Sequence, residues 1–287
     1  MSDDKPQRVD PALLAGNRKP AADYRATHFE WQASDGVATV TLNRPDKINA
    51  LTFEAYADLR DLLAELPHRG DTRVLVLRGE GPGFCSGGDV NEIIGELLKM
   101  RPDEHLSFTR MTGDVVRALR EIPIPVFASI HGIAAGAGSV LALASDFRIV
   151  ARSARFAFLF TKVGLSGSDM GAAYLLPRIV GLGNATKLLM LGDTVKAPEA
   201  DKYGLVSELV EDEDLETATA ALARRLADGP ALAYAQTKML LTRELDMGLS
   251  PSLEMDAAVQ ALLMNTRDHA EFHRAFNAKE TPKWEGR

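Results

Sequence analysis

The chain has 287 residues, of which 46% are hydrophobic and 25% are charged, and its formal net charge at pH 7 is −7. This composition is typical of a water-soluble globular protein, and the length suffices for one large core or two small domains. The acidic balance argues against nucleic acid or an anionic membrane as the main partner, because both attract basic proteins. The single cysteine, Cys85, excludes an intrachain disulfide, and no stretch has the apolar length of a signal peptide or a membrane span. We therefore expect a cytoplasmic protein that has no membrane partner.

The first half of the chain alternates between predicted strands and predicted helices. Residues 1–27 mix charge, proline and alanine without periodicity, so we expect an N-terminal extension there. Apolar runs predict strands at 37–42, 74–79, 124–132 and 146–151. Helical spacing predicts helices at 52–66, with Thr52 as a candidate N-cap, and at 90–100, 105–121 and 136–146. The alternation predicts an α/β protein with a mostly parallel sheet.

The chain is almost entirely helical in pattern after residue 170. Helices are predicted at 171–191, 197–203, 213–227, 231–246, 251–265 and 268–276, with one short strand at 205–210. We therefore expect an α/β core over residues 28–210 and a helical region over residues 211–287.

Two glycine-rich turns share one design, in which a buried strand leads through glycines into a helix. The first is VLVLRGEGPGFCSGGDVNEI (74–93) and the second is PVFASIHGIAAGAGSVLALA (125–144). Glycine permits close backbone approach, and a helix start presents unpaired N–H groups and partial positive charge. Two such turns that face one cavity can offer one N–H each to a single oxygen, as an oxyanion hole does. A phosphate cradle is the alternative, although neither turn matches the P-loop or dinucleotide-binding pattern.

Several segments of the chain resemble, in order and spacing, the motifs of the crotonase (enoyl-CoA hydratase/isomerase) superfamily. The resemblance covers residues 28–286. The segments are NRPDKINAL (43–51), FCSGGDVNEI (84–93), HGIAAGAGSVLALASDFRIV (131–150), LPRIVGLGNATKLLMLGDTVKAPEADKYGLVSELV (176–210) and HAEFHRAFNAKETPKWEG (269–286). The resemblance implies a crotonase-like spiral of ββα units, with a C-terminal helical region that mediates trimerisation. It also implies a homotrimer or a hexamer made of two trimers.

The same resemblance implies a CoA thioester as substrate, with no further cofactor, and a backbone oxyanion hole. By motif position, the two donors are the N–H groups of Gly88 and Ala137. The family commonly has glycine at the second position, and alanine keeps the N–H. The implied substrate-binding residues are Lys47, Ile48, Ala50, Ser86, Gly136, Val140 and Phe160. For Lys47, an ordinary solvated surface lysine is an equally good explanation.

Both glutamates that a hydratase of this family uses are replaced in this chain. Their positions correspond to Val140 and Phe160, whose apolar side chains cannot transfer a proton. The remaining carboxylate nearby is Asp169, which aligns with a functional aspartate of some relatives, although one extra residue separates it from Gly164. The alternative is that Asp169 caps the following helix. We expect Asp169 to be the acid/base, with a pKa that burial beside Phe158 and Phe160 raises.

Other candidate groups have ordinary structural explanations. We expect Cys85 to be a small buried core residue and Asp89 to cap the following helix. His131, at the end of a strand, is expected to be packed and hydrogen-bonded. The hydroxyls of Ser139, Ser166, Ser168 and Tyr174 are possible partners of the site that are better explained as structural. No cluster has metal-ligand spacing, so we expect no metal.

Two functions remain open from the sequence. The first is an enzyme of the enoyl-CoA hydratase/isomerase type, a lyase or an isomerase of fatty-acid metabolism, that stabilises a thioester enolate. The missing glutamates count against standard hydratase chemistry. The alternative is a non-catalytic acyl-CoA-binding relative. An RNA-binding function is disfavoured by the net acidity.

Overall fold

The computed structural model describes residues 28–286, so the expected N-terminal extension (1–27) lies outside the described residues. Its nine strands within that range are β1 (Glu30–Ser34), β2 (Gly36–Leu42), β3 (Thr72–Gly79), β4 (Val126–Ile130), β5 (Ile133–Ala135), β6 (Phe147–Ala151), β7 (Arg155–Ala157), β8 (Thr194–Lys196) and β9 (Glu208–Val210). Its helices of six or more residues are α1 (Phe53–Arg69), α2 (Pro102–Glu121), α3 (Ala137–Ala144), α4 (Ala172–Leu191), α5 (Ala197–Lys202), α6 (Leu215–Ala227), α7 (Ala231–Arg243), α8 (Leu249–Leu263) and α9 (Arg267–Ala278). A π-helical turn (Val90–Ile94) and short 3-10 turns connect them.

The main sheet has six strands in the order β1-β2-β3-β4-β6-β9. All neighbours from β2 to β9 run parallel, which confirms the α/β prediction. The edge strand β1 runs antiparallel to β2 and was not predicted, because its largely exposed residues lack an apolar alternation. The two-residue turn Asp35-Gly36, with φ of 52° and 80°, joins these strands, and such turns favour residues that tolerate positive φ.

A second sheet of three short strands, β5-β7-β8, lies beside the glycine turns. Each of these strands has three residues, which is too short for a period of two to be visible in the sequence. The strand predicted at 124–132 ends at Ile130, and the residues after it form a turn that leads into β5. The structure therefore has more strand pairing around the second glycine turn than the sequence indicated.

Helix α1 shows how the pattern of apolar residues positions the site. The Thr52 hydroxyl accepts a hydrogen bond from the Ala55 N–H at 3.2 Å, which confirms Thr52 as the N-cap. Leucines at 59, 62, 63 and 66 are at most 2% exposed and pack into the core. Burial of each such leucine stabilises the fold by about 1.5–3 kcal/mol. The helix is thus anchored along one face, and its first turn is held close to the first glycine turn.

The loop 43–51 is locked to the first glycine turn through Asn49. The Asn49 side chain is 1% exposed and donates to the carbonyl oxygens of Glu80 and Gly83, each at 2.8 Å. Its Oδ1 atom accepts from the Arg44 N–H at 2.9 Å. Ile48 and Asn49 both have positive φ, 49° and 56°, a conformation that asparagine tolerates better than most residues. A fully satisfied buried amide therefore fixes the shape of this loop.

A buried ion pair joins the C-terminal helical region to the sheet. The Lys238 Nζ atom of α7 lies 2.7 Å from Oδ2 of Asp146, which precedes β6. The same ammonium group donates to the carbonyl oxygens of Leu119 and Ile124 at 2.8 and 2.9 Å. Burial lowers the pKa of Lys238, and the charge of Asp146 opposes that shift.

Among the helices of residues 28–286, none combines the length and the apolar composition of a transmembrane span.

Candidate active site

The two glycine turns meet through their backbones. A Cβ atom added to Gly87, where φ is +103°, would lie 3.1 Å from the Ala135 oxygen and 3.5 Å from the Ala137 nitrogen. A Cβ atom added to Gly136, where φ is +50°, would lie 3.7 Å from the Gly87 Cα atom. The Ala135 N–H donates to the Cys85 carbonyl at 2.8 Å and ties the turns together. Glycine at 87 is required here because a side chain at positive φ would enter this contact.

Two backbone N–H groups are left unpaired at this junction. Neither the Gly88 N–H nor the Ala137 N–H donates to an acceptor among residues 28–286. Leu51 bonds to the residues on either side of Gly88, donating to the Gly87 carbonyl at 2.8 Å and accepting from the Asp89 N–H at 2.9 Å. Ala137 is the first residue of α3, where an N–H has no partner within the helix. Ala137 is 3% exposed and Gly88 is half-buried, so an acceptor that enters this junction can pair with both N–H groups, as in an oxyanion hole.

Helix α3 is held rigidly behind the Ala137 N–H. All eight of its residues are buried. A Cβ atom added to Gly138 would lie 2.3 Å from the Cys85 carbonyl oxygen, so only glycine fits there. The Ser139 hydroxyl donates to the carbonyl oxygens of Ala134 and Ala157 at 2.7 and 3.1 Å, which gives it the structural role expected from the sequence. The positive end of the α3 dipole is therefore fixed at the junction.

Asp169 is not the cap of the helix that follows it. Helix α4 begins at Ala172 with Gly171 as its N-cap, and the Asp169 carboxylate accepts from the adjacent Met170 N–H at 2.9 Å. Met170 has a φ of 52°, which is uncommon for a non-glycine residue and places a local strain next to the carboxylate. Burial raises the pKa of Asp169, as expected, and the Met170 N–H opposes that shift. The capping alternative for α4 is therefore wrong.

The Asp169 turn packs beside the glycine turns. The turn Asp169–Gly171 contacts both α2 and α3. Tyr56 of α1 packs against α2 through the ring of Phe108. Burial raises the pKa of Tyr56 well above the ordinary value, and the negative charge of Asp169 raises it further. The sequence interpretation missed Tyr56, because it occupies a position on the apolar face of α1 that looks like ordinary core.

Val140 and Phe160, at which the resemblance places the two hydratase glutamates, lie in the core. Val140, one turn into α3, is 0% exposed, and Phe160, in a 3-10 turn, is 8% exposed. Neither carries a polar atom on its side chain. Within the described range 28–286, no group of three or more histidine, cysteine, aspartate or glutamate side chains could hold a metal ion.

The residues expected to bind the CoA moiety line one side of the first turn. The Ser86 N–H donates to the Ile48 carbonyl at 2.9 Å, and its hydroxyl donates to the Lys47 carbonyl at 3.1 Å. Lys47 is exposed, Ile48 is half-buried, and Ala50 is 8% exposed. The loop and the turn thus form one connected surface next to the unpaired N–H of Gly88.

The remaining candidates have structural roles, as expected. Cys85 is fully buried, and burial raises the pKa of its thiol to about 12, so it stays protonated at neutral pH. Asp89 caps the π-helical turn, accepting from the Asn91 and Glu92 N–H groups at 2.9 and 3.1 Å. His131 Nε2 lies 2.8 Å from the Gly81 carbonyl oxygen. The hydroxyls of Ser166 and Ser168 pair with each other at 2.7 Å, and the Tyr174 hydroxyl bonds to Asp246.

Comparison with known proteins places this fold and these turns in one family. The enoyl-CoA hydratase/isomerase model matches residues 32–287, and the chain therefore belongs to that family, the crotonase family. It is 36% identical over 252 residues to the 1,2-epoxyphenylacetyl-CoA isomerase of Escherichia coli, covering 88% of this chain and 96% of that one. It is 32% identical over 257 residues to the (E)-benzylidenesuccinyl-CoA hydratase of Thauera aromatica, covering 89% and 98%. A solved structure from Streptomyces coelicolor A3(2), provisionally assigned as an enoyl-CoA hydratase, matches with 63% identity and a TM-score of 0.91 over 100% of both chains.

We predict opposite effects on stability when Asp169 and Asp89 are each changed to asparagine. Burial raises the pKa of Asp169, so its charged form opposes folding, and this cost appears as the pH rises through its native pKa. The Glu92 N–H and other partners lower the pKa of Asp89, so its charge supports folding, and this support is lost as the pH falls through its native pKa. In urea unfolding at pH 7, Asp169→Asn should keep or raise the midpoint, whereas Asp89→Asn should lower it.

The expected loss for Asp89→Asn is about 0.3–1 kcal/mol, because asparagine keeps a capping oxygen but loses the negative charge beside Arg44 and the helix N-terminus. A loss of that size in Asp169→Asn would contradict the assignment of Asp169 as a desolvated, non-capping carboxylate.

Proposed function

We propose that this chain is an enzyme that transforms an acyl-CoA by stabilising the enolate oxygen of the thioester with the N–H groups of Gly88 and Ala137. The observation that carries the proposal is the pair of unpaired N–H groups at the contact between Gly87 and Gly136. Donors fixed in advance stabilise charge that develops on the carbonyl oxygen, and each is worth roughly 10²–10³-fold in rate. The family to which the chain belongs supports a CoA thioester as the substrate, with no further cofactor.

The loop 43–51 and the first glycine turn are proposed to hold the CoA moiety. Asn49 fixes the loop, and Ser86 connects it to the turn, so the chain presents a preformed surface on which the pantetheine can lie. Lys47 is exposed at this surface and can approach a phosphate without the cost of desolvation. Ala50 and Gly136 leave room for the thioester to reach both N–H groups.

Asp169 is proposed to transfer the proton. Val140 and Phe160 occupy the places of the two hydratase glutamates, so the usual activation of a water has no base there. A single carboxylate suffices to move a double bond. It takes a proton from the γ-carbon of an α,β-enoyl thioester while the electron pair shifts to the carbonyl oxygen, and it then returns the proton to the α-carbon. A raised pKa suits both halves of that exchange, because the optimum for proton transfer lies near the working pH.

Isomerisation of an enoyl-CoA is therefore the reaction we favour. The 1,2-epoxyphenylacetyl-CoA isomerase and a trans-2-decenoyl-[acyl-carrier-protein] isomerase of Streptococcus mutans, 30% identical over 258 residues, are relatives of this chain. The alternative, a non-catalytic acyl-CoA-binding protein, is favoured by the same two apolar replacements. It would bind acyl-CoA without turnover of any thioester.

Substitution of Ala137 tests the oxyanion hole. Ala137→Pro removes the N–H at the first position of a helix, where proline is well tolerated. We expect kcat/KM for enoyl-CoA substrates to fall by at least about 100-fold. Ala137→Gly keeps the N–H and should cost less than about 10-fold, well below the loss of one oxyanion donor. Equal losses in the two variants, with both proteins folded by circular dichroism, would count against a donor at this position.

Substitution of Asp169 tests the proton transfer. In D₂O, the wild-type protein should exchange the γ-proton of 3-methylcrotonyl-CoA, as followed by NMR, and Asp169→Asn should lose about 100-fold or more of that rate. Ser168→Ala should keep it, since the Ser168 hydroxyl pairs with Ser166. Because burial raises the pKa of Asp169, the exchange rate should rise with pH through an apparent pKa above that of an exposed aspartate. Full exchange in Asp169→Asn would exclude it as the base, whereas tight binding without exchange by wild type would favour the binding protein.

The C-terminal helices are proposed to form the interface of a homotrimer, which can pair into a hexamer. Large apolar side chains are exposed there, such as Leu249 at 75% and Phe276 at 71%. Large apolar side chains that are exposed in one region of a chain often mark a protein–protein interface. Light scattering should give three or six times the mass of the 31.1 kDa chain, and Phe276→Asp should shift the measured mass towards 31.1 kDa. Leu98→Asp, a change at an exposed leucine outside these helices, is the control. A wild-type mass of 31.1 kDa would refute the proposal.

A further inference from the structure

Tyr56 carries a buried hydroxyl that no described residue satisfies. The side chain is 3% exposed, and its Oη atom forms no hydrogen bond within residues 28–286. Buried tyrosine hydroxyls normally have a partner, because an unpaired polar group in the interior is costly. The fully shielded side-chain atoms that lack a hydrogen-bond partner in this range are Arg69 Nη1, Thr161 Oγ1 and Glu244 Oε1. Tyr56 Oη is not one of them, so the hydroxyl keeps some accessible surface through which a ligand atom can reach it.

The position of Tyr56 places that hydroxyl next to the proposed site. Tyr56 lies in the first turn of α1, and Leu51, just before this helix, bonds to both neighbours of Gly88. On its other side, the ring meets Phe108 of α2 edge-on, with centroids 5.9 Å apart, and α2 contacts the turn that begins at Asp169. The Tyr56 side chain thus lies on the helix that follows the segment bonded to the first glycine turn, packs against α2, and is close enough to Asp169 for that charge to act on its hydroxyl.

The phenol is a rigid donor and not a base. Phe108 also meets Phe53 edge-on at 4.8 Å, and these contacts fix the plane of the Tyr56 ring. Burial, with the negative charge of Asp169, raises the pKa of Tyr56 well above the ordinary value. Tyr56 thus keeps its proton throughout the physiological range, and its hydroxyl can donate to an acceptor that enters the site.

We infer that Tyr56 is a specificity-determining residue whose hydroxyl donates a hydrogen bond to an oxygen carried by the acyl group beyond the thioester. The preferred substrates are then CoA thioesters with a hydroxyl, keto or carboxylate oxygen on the acyl chain. This inference rests on the proposed function, because it takes the space between Gly88 and Asp169 to be the acyl site. A plain alkyl chain would cover the hydroxyl without pairing it, and sites with such a donor discriminate strongly against substrates that lack the acceptor.

The test compares matched thioesters that differ in one oxygen. The substrates are 3-hexenoyl-CoA and its 5-hydroxy and 6-hydroxy derivatives, and the proteins are wild type and Tyr56→Phe, which keeps the ring and its contacts with Phe108. We expect wild type to favour at least one hydroxylated thioester by roughly 10-fold or more in kcat/KM. In Tyr56→Phe this ratio should fall to about 1. A ratio that is the same in both proteins, whether large or near 1, overturns the inference.

Binding measurements separate this inference from the proposed function. Calorimetry on Asp169→Asn protein, with and without the added Tyr56→Phe change, gives the dissociation constants without turnover. If the preference for the hydroxylated thioester disappears in Tyr56→Phe, the binding data support the inference, even when wild type turns over none of the thioesters. The absence of turnover would defeat the proposed function alone. Turnover of 3-hexenoyl-CoA with no tyrosine-dependent preference in either assay keeps the proposed function and rejects the inference.

Discussion

The close approach of two backbones, at Gly87 and Gly136, is the constraint on which the site depends. Glycine is required at position 87, because its φ is +103° and a side chain there would meet the Ala135 carbonyl oxygen at 3.1 Å. The approach brings the next residues, Gly88 and Ala137, into position with their N–H groups unpaired. Much of the neighbouring structure maintains this contact: the bonds between β5 and the Cys85 turn, the shielded helix α3, and the bonds from Leu51.

Several unfavourable features are concentrated around this contact. Within residues 28–286, two N–H groups and the Tyr56 hydroxyl have no hydrogen-bond partner, Asp169 is a desolvated carboxylate, and Met170 has positive φ. Each is costly for folding, and such features collect at functional sites where the surrounding structure holds them in place. The surrounding stabilisation includes the leucine face of α1, the amide of Asn49 and the Lys238–Asp146 pair. A stable frame therefore supports a site whose polar groups can be satisfied by a ligand.

The sequence predicted the long elements of the fold and singled out the two glycine-rich turns that meet in the structure. Strand β3 is a continuous apolar run and helix α1 has an apolar face at helical spacing, and Thr52 and Asp89 act as the caps that were expected. The strands β5, β7 and β8 could not be predicted, because three residues show no period. The sequence also left open whether Asp169 caps a helix, since this depends on where α4 begins, and Gly171 determines that start. The sequence could not single out Tyr56, because the surroundings of its hydroxyl are known only from the structure.

A crystal structure with a slowly reacting acyl-CoA analogue tests the central claim most directly. The claim is that one thioester oxygen accepts from both turns at once, and this is a statement about two distances. We predict that the carbonyl oxygen will lie within about 3.1 Å of both the Gly88 nitrogen and the Ala137 nitrogen, as preorganised donors require. An analogue that is bound and ordered, but whose carbonyl oxygen lies away from either nitrogen, would contradict the account.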